Sequence, residues 1–302
     1  MIKKRKIDHL QEEITKADIL VEALPYMQAY RDKTVLIKFG GSAMDDPELV
    51  KSLMRDIVVM EAMGLNPVVV HGGGKAITKA MAEAGLEAKF INGLRVTTKE
   101  AINIVEDTLS AHINPGLVEM MRSAGGKAVG IPGTNVFVGE KLRERDAEGR
   151  PVDIGMVGHV ISCLLSRVEE ALSLQLTPVI SPLARELGTN QSLNVNADLA
   201  AAALARELKP VKLIFISDVP GLLSDPSDPS TLIQSINRKE AMELIEDGTI
   251  SGGMIPKVKS AVDALNAGVR KVHFIDGRVP HTLLMEIFTP EGIGTEIVRE
   301  QR

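Results

Sequence analysis

Thr34-Val-Leu-Ile-Lys-Phe-Gly-Gly41 and Pro67-Val-Val-Val-His-Gly-Gly-Gly74 share one plan: a short, mostly apolar run that ends on consecutive glycines. Runs this short and this continuous, closed by glycine, read as strands buried on both faces. Glycine at a strand end lets the backbone approach a ligand and turn its N–H groups inward, while a following helix presents its positive N-terminus. That arrangement binds phosphate or carboxylate oxygens. A third glycine turn, Gly252-Gly-Met-Ile-Pro-Lys257, lies near the C-terminus. Lys38 and Lys257 open and close the set, and each can place an ammonium beside the same anion. Taken singly, each turn is equally compatible with ordinary tight-turn chemistry. None is a Walker A loop, because Lys75 is followed by Ala76 rather than Ser or Thr, and neither strand ends in G-x-G-x-x-G.

Outward from these turns the pattern alternates. A helix opens at Asp46-Pro47-Glu48, with Asp46 as N-cap and Pro47 in the first turn. Strand 67–71 leads into helix 74–84, and Thr97-Thr-Lys-Glu100 predicts a capping box opening a helix to about residue 111. Residues 127–160 read as short β-rich pieces with a polar excursion over 140–151. Then come strands 176–181 and 193–195, and the alanine-rich helix 197–208 capped by Asn196. Strand 211–216, helices 238–247 and 256–267, and strand 271–275 complete the alternation. The expected fold is α/β: a three-layer sandwich with a central, mostly parallel sheet, divided into two lobes, 31–205 and 206–302. Residues 1–30 carry an outlying helix over 8–24 with Leu10, Ile14, Ala17, Val21 and Leu24 on one stripe, stopping at Pro25. Such a stripe needs a partner, either the chain's own globule or another subunit.

Composition narrows the function classes. At 302 residues, 44% hydrophobic and 25% charged, the chain has the make-up of a folded α/β protein. A net charge of -5 and 3% aromatics argue against nucleic acid as a partner. No apolar run is long enough to cross a membrane, and a cytoplasmic location is expected. The single Cys163 excludes an intramolecular disulfide or a multi-cysteine metal site and reads as core.

The chemistry concentrates in three further segments. Asp198, in Asn194-Val-Asn-Ala-Asp198, is either a first-turn helix stabiliser or a carboxylate that orients Lys38 and Lys257. Arg95, in Phe90-Ile-Asn-Gly-Leu-Arg-Val-Thr97, is either a solvated arginine or a bidentate clamp for a substrate carboxylate. Ser217-Asp-Val-Pro-Gly221 follows strand 211–216 as a ligand-facing loop of an open sheet. Positioning and charge neutralisation by such groups is what phosphoryl transfer needs.

In this order the motifs resemble the amino acid kinase family, from about residue 25 to the C-terminus. The resemblance implies ATP with Mg²⁺ as phosphoryl donor, no protein metal site, and N-acetyl-L-glutamate as acceptor in arginine biosynthesis. It implies Lys38 and Lys257 as the catalytic cations and Asp198 as their organiser. Gly40, Gly41 and Gly72 would meet phosphate, while Gly73, Gly74, Arg95 and Asn194 would bind the acceptor. The N-terminal helix is similar to that of an arginine-inhibited, hexameric branch, a trimer of dimers, and the sequence leaves open whether a nitrogen-signalling protein docks here. Matching effector positions would be Tyr26, Lys212, His273, Glu286 and Gly292, the last within the turn 291–294. Acetylaminoadipate as acceptor, another member of the family, and a catalytically silent arginine sensor on this fold are the competing readings.

Overall fold

The computed structural model describes residues 2–146, 148–289 and 292–300. Its first elements are helix α1 (Ile2–Tyr30), strand β1 (Thr34–Phe39), helix α2 (Pro47–Ala62), strand β2 (Asn66–His71) and helix α3 (Gly74–Glu83). The Asp46 carboxylate accepts from Glu48 N at 2.9 Å, and Pro47 sits where a backbone N–H has no helical partner. Helix α1 does not stop at Pro25 as the pattern predicted; it runs five residues further, to Tyr30. Proline forfeits one i→i−4 bond and crowds the carbonyl a turn back, which bends a helix more readily than it ends one. Leu10, Ile14, Val21 and Leu24 are all exposed on it.

A hairpin of β3 (Phe90–Ile91) and β4 (Leu94–Arg95) precedes helix α4 (Lys99–Glu106). The cap of α4 is Thr98, whose hydroxyl accepts from Ala101 N, so the box expected from Thr97 and Glu100 does not form. Thr97 is instead buried, its hydroxyl donating to Arg95 O and accepting from Asn194. Beyond Glu106 the chain passes through a π-helical segment, Asp107–Ile113, into α5 (Asn114–Ser123). Next come β5 (Ala128–Ile131), β6 (Phe137–Lys141), the hairpin of β7 (Glu144–Arg145) with β8 (Pro151–Val152), and β9 (Val157–Cys163). Helix α6 (Ser166–Ser173), strands β10 (Thr177–Ile180), β11 (Leu183–Glu186) and β12 (Ser192–Val195), and helix α7 (Ala197–Leu208) follow. Strands β6, β9, β11 and β12 close into a small barrel that local patterning did not reveal. The last third contains β13 (Lys212–Ser217), β14 (Ser235–Asn237), α8 (Arg238–Glu246), α9 (Met254–Asn266), β15 (Lys271–Asp276), α10 (Thr282–Phe288) and β16 (Thr295–Val298).

Eight strands form one sheet in the order β14-β16-β15-β13-β1-β2-β10-β5, and only the β15–β16 pair is antiparallel. Period-two alternation sorts its side chains into two layers. Leu36, Val68, Val70, Leu213 and Phe215 join the aliphatic faces of α3, α4, α7 and α9. Val35, Ile37, Val69, Ile214 and Ile216 pack against α2, α5 and α10. Phe215 and Phe274 stack at 5.3 Å between centroids on the first face. Truncating a buried ring such as Phe215 costs about 3–5 kcal/mol, so this layer fixes where α7 and α9 begin.

Candidate active site

The same alternation sets the position of Lys38. It lies two residues after Leu36, so its side chain projects into the layer of α7 and α9. Asp198 is the second residue of α7, held there by Asn196, whose side chain accepts from Asp198 N at 2.8 Å and Leu199 N at 3.3 Å. The Lys38 ammonium meets Asp198 Oδ1 at 2.8 Å, an ion pair outside hydrogen-bond alignment, with both side chains almost removed from solvent. Asp198 therefore occupies a first helical turn and contacts Lys38 at once. Lys257 is the fourth residue of α9, delivered by the third glycine turn, in which Gly252 has φ +56°. Burial pulls its ammonium below the ordinary lysine value; Asp198 and Asp218 oppose that pull and Lys38 reinforces it. These four charges form one electrostatic cluster at the C-terminal ends of β1 and β13.

The first two glycine turns lie back to back. A Cβ on Gly72 would stand 3.1 Å from Gly40 Cα, and one on Gly40 would stand 3.0 Å from Lys38 Nζ. Gly72 N donates to Phe39 O at 2.7 Å, stitching the turns together. Gly73 is glycine for a different reason: its Cβ would lie 2.6 Å from both Leu109 and Ile113 of the π-helical segment. Gly74 opens α3 with free space around the Cβ position.

His71 fastens this turn from below. It is fully buried, and its Nδ1 lies 2.7 Å from Gly72 O while Nε2 lies 3.2 Å from Asn114 Nδ2. A carbonyl can only accept, so Nδ1 carries the hydrogen and Nε2 accepts from Asn114. Burial lowers its pKa from 6.5 to about 4. As pH falls through this window the unfolded chain takes up a proton that the folded chain refuses, so stability drops by about 3 kcal/mol from this group and is unaffected by it above pH 6.5. Urea titrations at pH 7 and pH 4.5 should show a larger loss for the natural protein than for His71→Gln; equal losses would refute this account.

A cavity of 540 Å³ opens above these groups, lined among others by Lys38, Gly41, Gly72, Gly73, Gly74, Arg95, Asn194, Asp198 and Asp218. Arg95 is 8% exposed; its Nη2 donates to Gly74 O and to Thr78 Oγ1, both at 2.7 Å, and its guanidinium lies 4.8 Å from the Phe90 ring centre. Asn194, on barrel strand β12, donates from Nδ2 to Thr97 Oγ1 at 3.0 Å, leaving its carbonyl oxygen for a ligand. Gly40 and Lys257 are not among the residues of this wall. Sequence reasoning flagged the Ser217–Gly221 loop but gave Asp218 no part, and it passed over Thr78 and Thr97. A polar residue one helical turn from Gly74, and another two residues after Arg95, were the available signals.

The five positions that the resemblance assigns to an effector lie toward the opposite face of the sheet. His273 and Lys212 point with Ile214 toward α10, where Glu286 is buried and hydrogen-bonded to His273 Nδ1. Burial pushes the Glu286 carboxyl up, but His273, the Ile293 amide and Lys212 outweigh it and the net shift is downward. Glu286 Oε2 accepts from Ile293 N at 2.9 Å and Gly294 N at 3.2 Å, and Gly292 adopts φ +65° beside it. Glu291 of that turn lies outside the described residues. Tyr26 is half-buried on α1, one turn before Tyr30, whose ring centre is 5.3 Å from the Lys212 ammonium. A second cavity of 780 Å³, lined by Tyr30, Lys212, Lys271, Glu296 and Arg299 among others, adjoins them.

A mostly parallel sheet that brings one strand lysine, a second lysine and an aspartate from helix starts, and paired glycine turns together is a phosphoryl-transfer scaffold, and residues 33–276 match the family model described as Amino acid kinase family. The chain belongs to that family. Its curated relatives include the acetylglutamate kinase of Akkermansia muciniphila, 74% identical over 289 residues, which span 96% of this chain and 97% of that one. The acetylglutamate kinase of Caldanaerobacter subterraneus subsp. tengcongensis is 44% identical, spanning 99% and 98%. Among solved structures, N-acetylglutamate synthase from Neisseria gonorrhoeae, complexed with coenzyme A and N-acetyl-glutamate, matches with TM-score 0.82 at 23% identity, over 95% of this chain and 64% of that one. Carbamate kinase from Giardia lamblia bound to AMP-PNP matches with TM-score 0.65 at 17% identity, over 89% and 99%. Identities this low speak to the fold alone.

Proposed function

We propose that this protein transfers the γ-phosphoryl group of ATP to the γ-carboxylate of N-acetyl-L-glutamate, giving N-acetyl-L-glutamyl 5-phosphate and ADP. The observation that carries this is the cavity itself, whose wall holds a guanidinium for one carboxylate (Arg95), an amide oxygen for the acceptor's N–H (Asn194) and the Lys38–Asp198 pair for phosphate, with Lys257 in the same charge cluster. A carboxylate oxygen attacks the γ-phosphorus as the bond to the β–γ bridging oxygen breaks, and that electron pair leaves on ADP. The acceptor is already ionised at neutral pH, so no general base is required. Lys38 and Lys257 neutralise the charge on the transferring group, while Asp198 keeps Lys38 aligned and opposes the loss of the Lys257 proton. The amides of Gly41 and Gly74 supply further donors to anionic oxygens, whereas the Gly72 amide, expected to meet phosphate, is already committed to Phe39 O, so Gly72 serves the close approach of the two turns instead. Among the described residues no three His, Cys, Asp or Glu gather as a metal site. Magnesium bound to the nucleotide's phosphates would neutralise charge there, and Asp198 and Asp218 are the carboxylates of the cavity wall that could face it.

In this reading residues 31–205 bind the acceptor and 206–302 the nucleotide, although one sheet runs through both. Soluble substrates fit a cytoplasmic location; among the described residues no helix is long and apolar enough to cross a membrane. A coupled ADP-release assay tests the proposal. N-Acetyl-L-glutamate should exceed acetylaminoadipate by about tenfold or more in kcat/KM, since one methylene is worth about 1–3 kcal/mol. No ADP with either acceptor would leave the silent-sensor reading in its place.

Feedback control and assembly complete the proposal. L-Arginine would bind between α1 and α10, its cationic groups meeting Glu286 and its carboxylate meeting Lys212. The exposed apolar residues of α1 would pair with those of another dimer, building a hexamer. Deleting residues 1–24 should reduce the mass in light scattering to that of a dimer and weaken inhibition by arginine. An unchanged mass would remove α1 from the assembly.

A further inference from the structure

We propose that Lys75 is a further ligand-binding residue of the catalytic cavity, and that Asp45 competes with the ligand's anionic oxygen for its ammonium group. The proposal rests on the kinase reading above. Lys75 is the second residue of α3 and lines the cavity beside Gly73, Gly74 and Thr78. Its ammonium is paired with the carboxylate of Asp45, which directly follows the short helical turn Gly41–Met44. One ion pair thus joins the loop after β1 to the first turn of α3, next to the glycines where the two loops touch.

Two features at this point call for an anion. A lysine in the first turn of a helix opposes the helix dipole, and the N-cap of α3, Gly73, has no side chain to accept from the first amides. Asp45 answers that demand from outside the cavity, for it is not among the wall residues. The Lys75 and Asp45 side chains are 72% and 36% exposed, and exposed pairs add little to stability. Exchange of Asp45 for a ligand oxygen is therefore inexpensive. Lys38, buried against Asp198, and Arg95, tied to Gly74 O and Thr78, have no such freedom. The incoming oxygen belongs either to the acceptor's carboxylate or to the terminal phosphate of the nucleotide, and both present the same chemistry to an ammonium group.

A pair that merely ties two loops together behaves differently from a competition, because removing either half then has the same effect. Lys75→Gln and Asp45→Asn should be compared with the natural protein by calorimetric titration. The two titrants are N-acetyl-L-glutamate and a non-hydrolysable ATP analogue, with KM values measured alongside. Lys75→Gln should weaken one of the two ligands by about tenfold, Asp45→Asn should tighten that same ligand, and the double variant should match Lys75→Gln. The ligand that shifts identifies the oxygen. Parallel losses in both variants, or no shift for either ligand, would overturn the proposal. If the natural protein did not bind N-acetyl-L-glutamate, the acceptor assignment would fall, while opposite shifts in nucleotide affinity would still uphold Lys75.

Discussion

Lys257→Ala is expected to lower kcat by about 100- to 1,000-fold, with KM for N-acetyl-L-glutamate moving by less than about threefold. The asymmetry follows from where the charge sits. Lys257 is half-buried, is not part of the cavity wall, and shares an electrostatic cluster with Asp198, Lys38 and Asp218. Arg95 and Asn194, which hold the acceptor in the proposed mechanism, are on the wall itself. Lys257 is thus placed to act on charge that develops on the transferring group rather than on the resting acceptor. Burial is already pulling its pKa down, and alanine would remove the ammonium without leaving a buried charge unpaired, because Asp198 keeps Lys38 at 2.8 Å. A stable variant with kcat preserved and affinity lost would refute this role. Steady-state kinetics with thermal melting of the same preparation measures both.

Arg95→Lys is expected to raise KM for N-acetyl-L-glutamate by about 10- to 100-fold, with KM for ATP nearly unchanged, because hydrogen bonds to charged groups are worth about 1.5–3 kcal/mol. Lysine keeps the charge and loses the fork. The native guanidinium is pinned by Gly74 O, Thr78 Oγ1 and the Phe90 face, and that fixes the orientation of its remaining N–H donors. A flexible ammonium cannot satisfy the two acceptors and a carboxylate together. Equal changes in both Michaelis constants would mean that Arg95 holds the glycine turn rather than the acceptor. Lysine is the informative replacement, since alanine would strand Gly74 O and Thr78 and confuse stability with binding.

Much of the frame was legible from pattern alone. The strands β1 and β2 fall within a residue of their expected bounds, since continuous apolar runs closed by glycine have few other stable fates. The caps Asp46 and Asn196 behave as their side chains dictate. Local rules failed where distant parts of the chain decide. Thr97 looked like a capping residue, yet it is drawn into a buried link between Arg95 and Asn194 that lies 97 positions away from the latter. Strand β11 is too short to declare itself and exists only because β6 and β12 flank it. The π-helical segment after α4 has no local signature; it is matched by the packing of Leu109 and Ile113 against Gly73.

By itself the sequence determined the α/β class, the order of the glycine turns and the residues that bring charge to them, because periodicity and turn chemistry are local properties. Only the tertiary structure decided that Lys38, Asp198, Lys257 and Asp218 form one cluster, that Arg95 is held against the first turn of α3, and that Glu286 and His273 face the other way. Those relations depend on which face of the sheet each strand residue takes and which helix covers that face. Neither is set until strands distant in the chain have paired and buried both faces together.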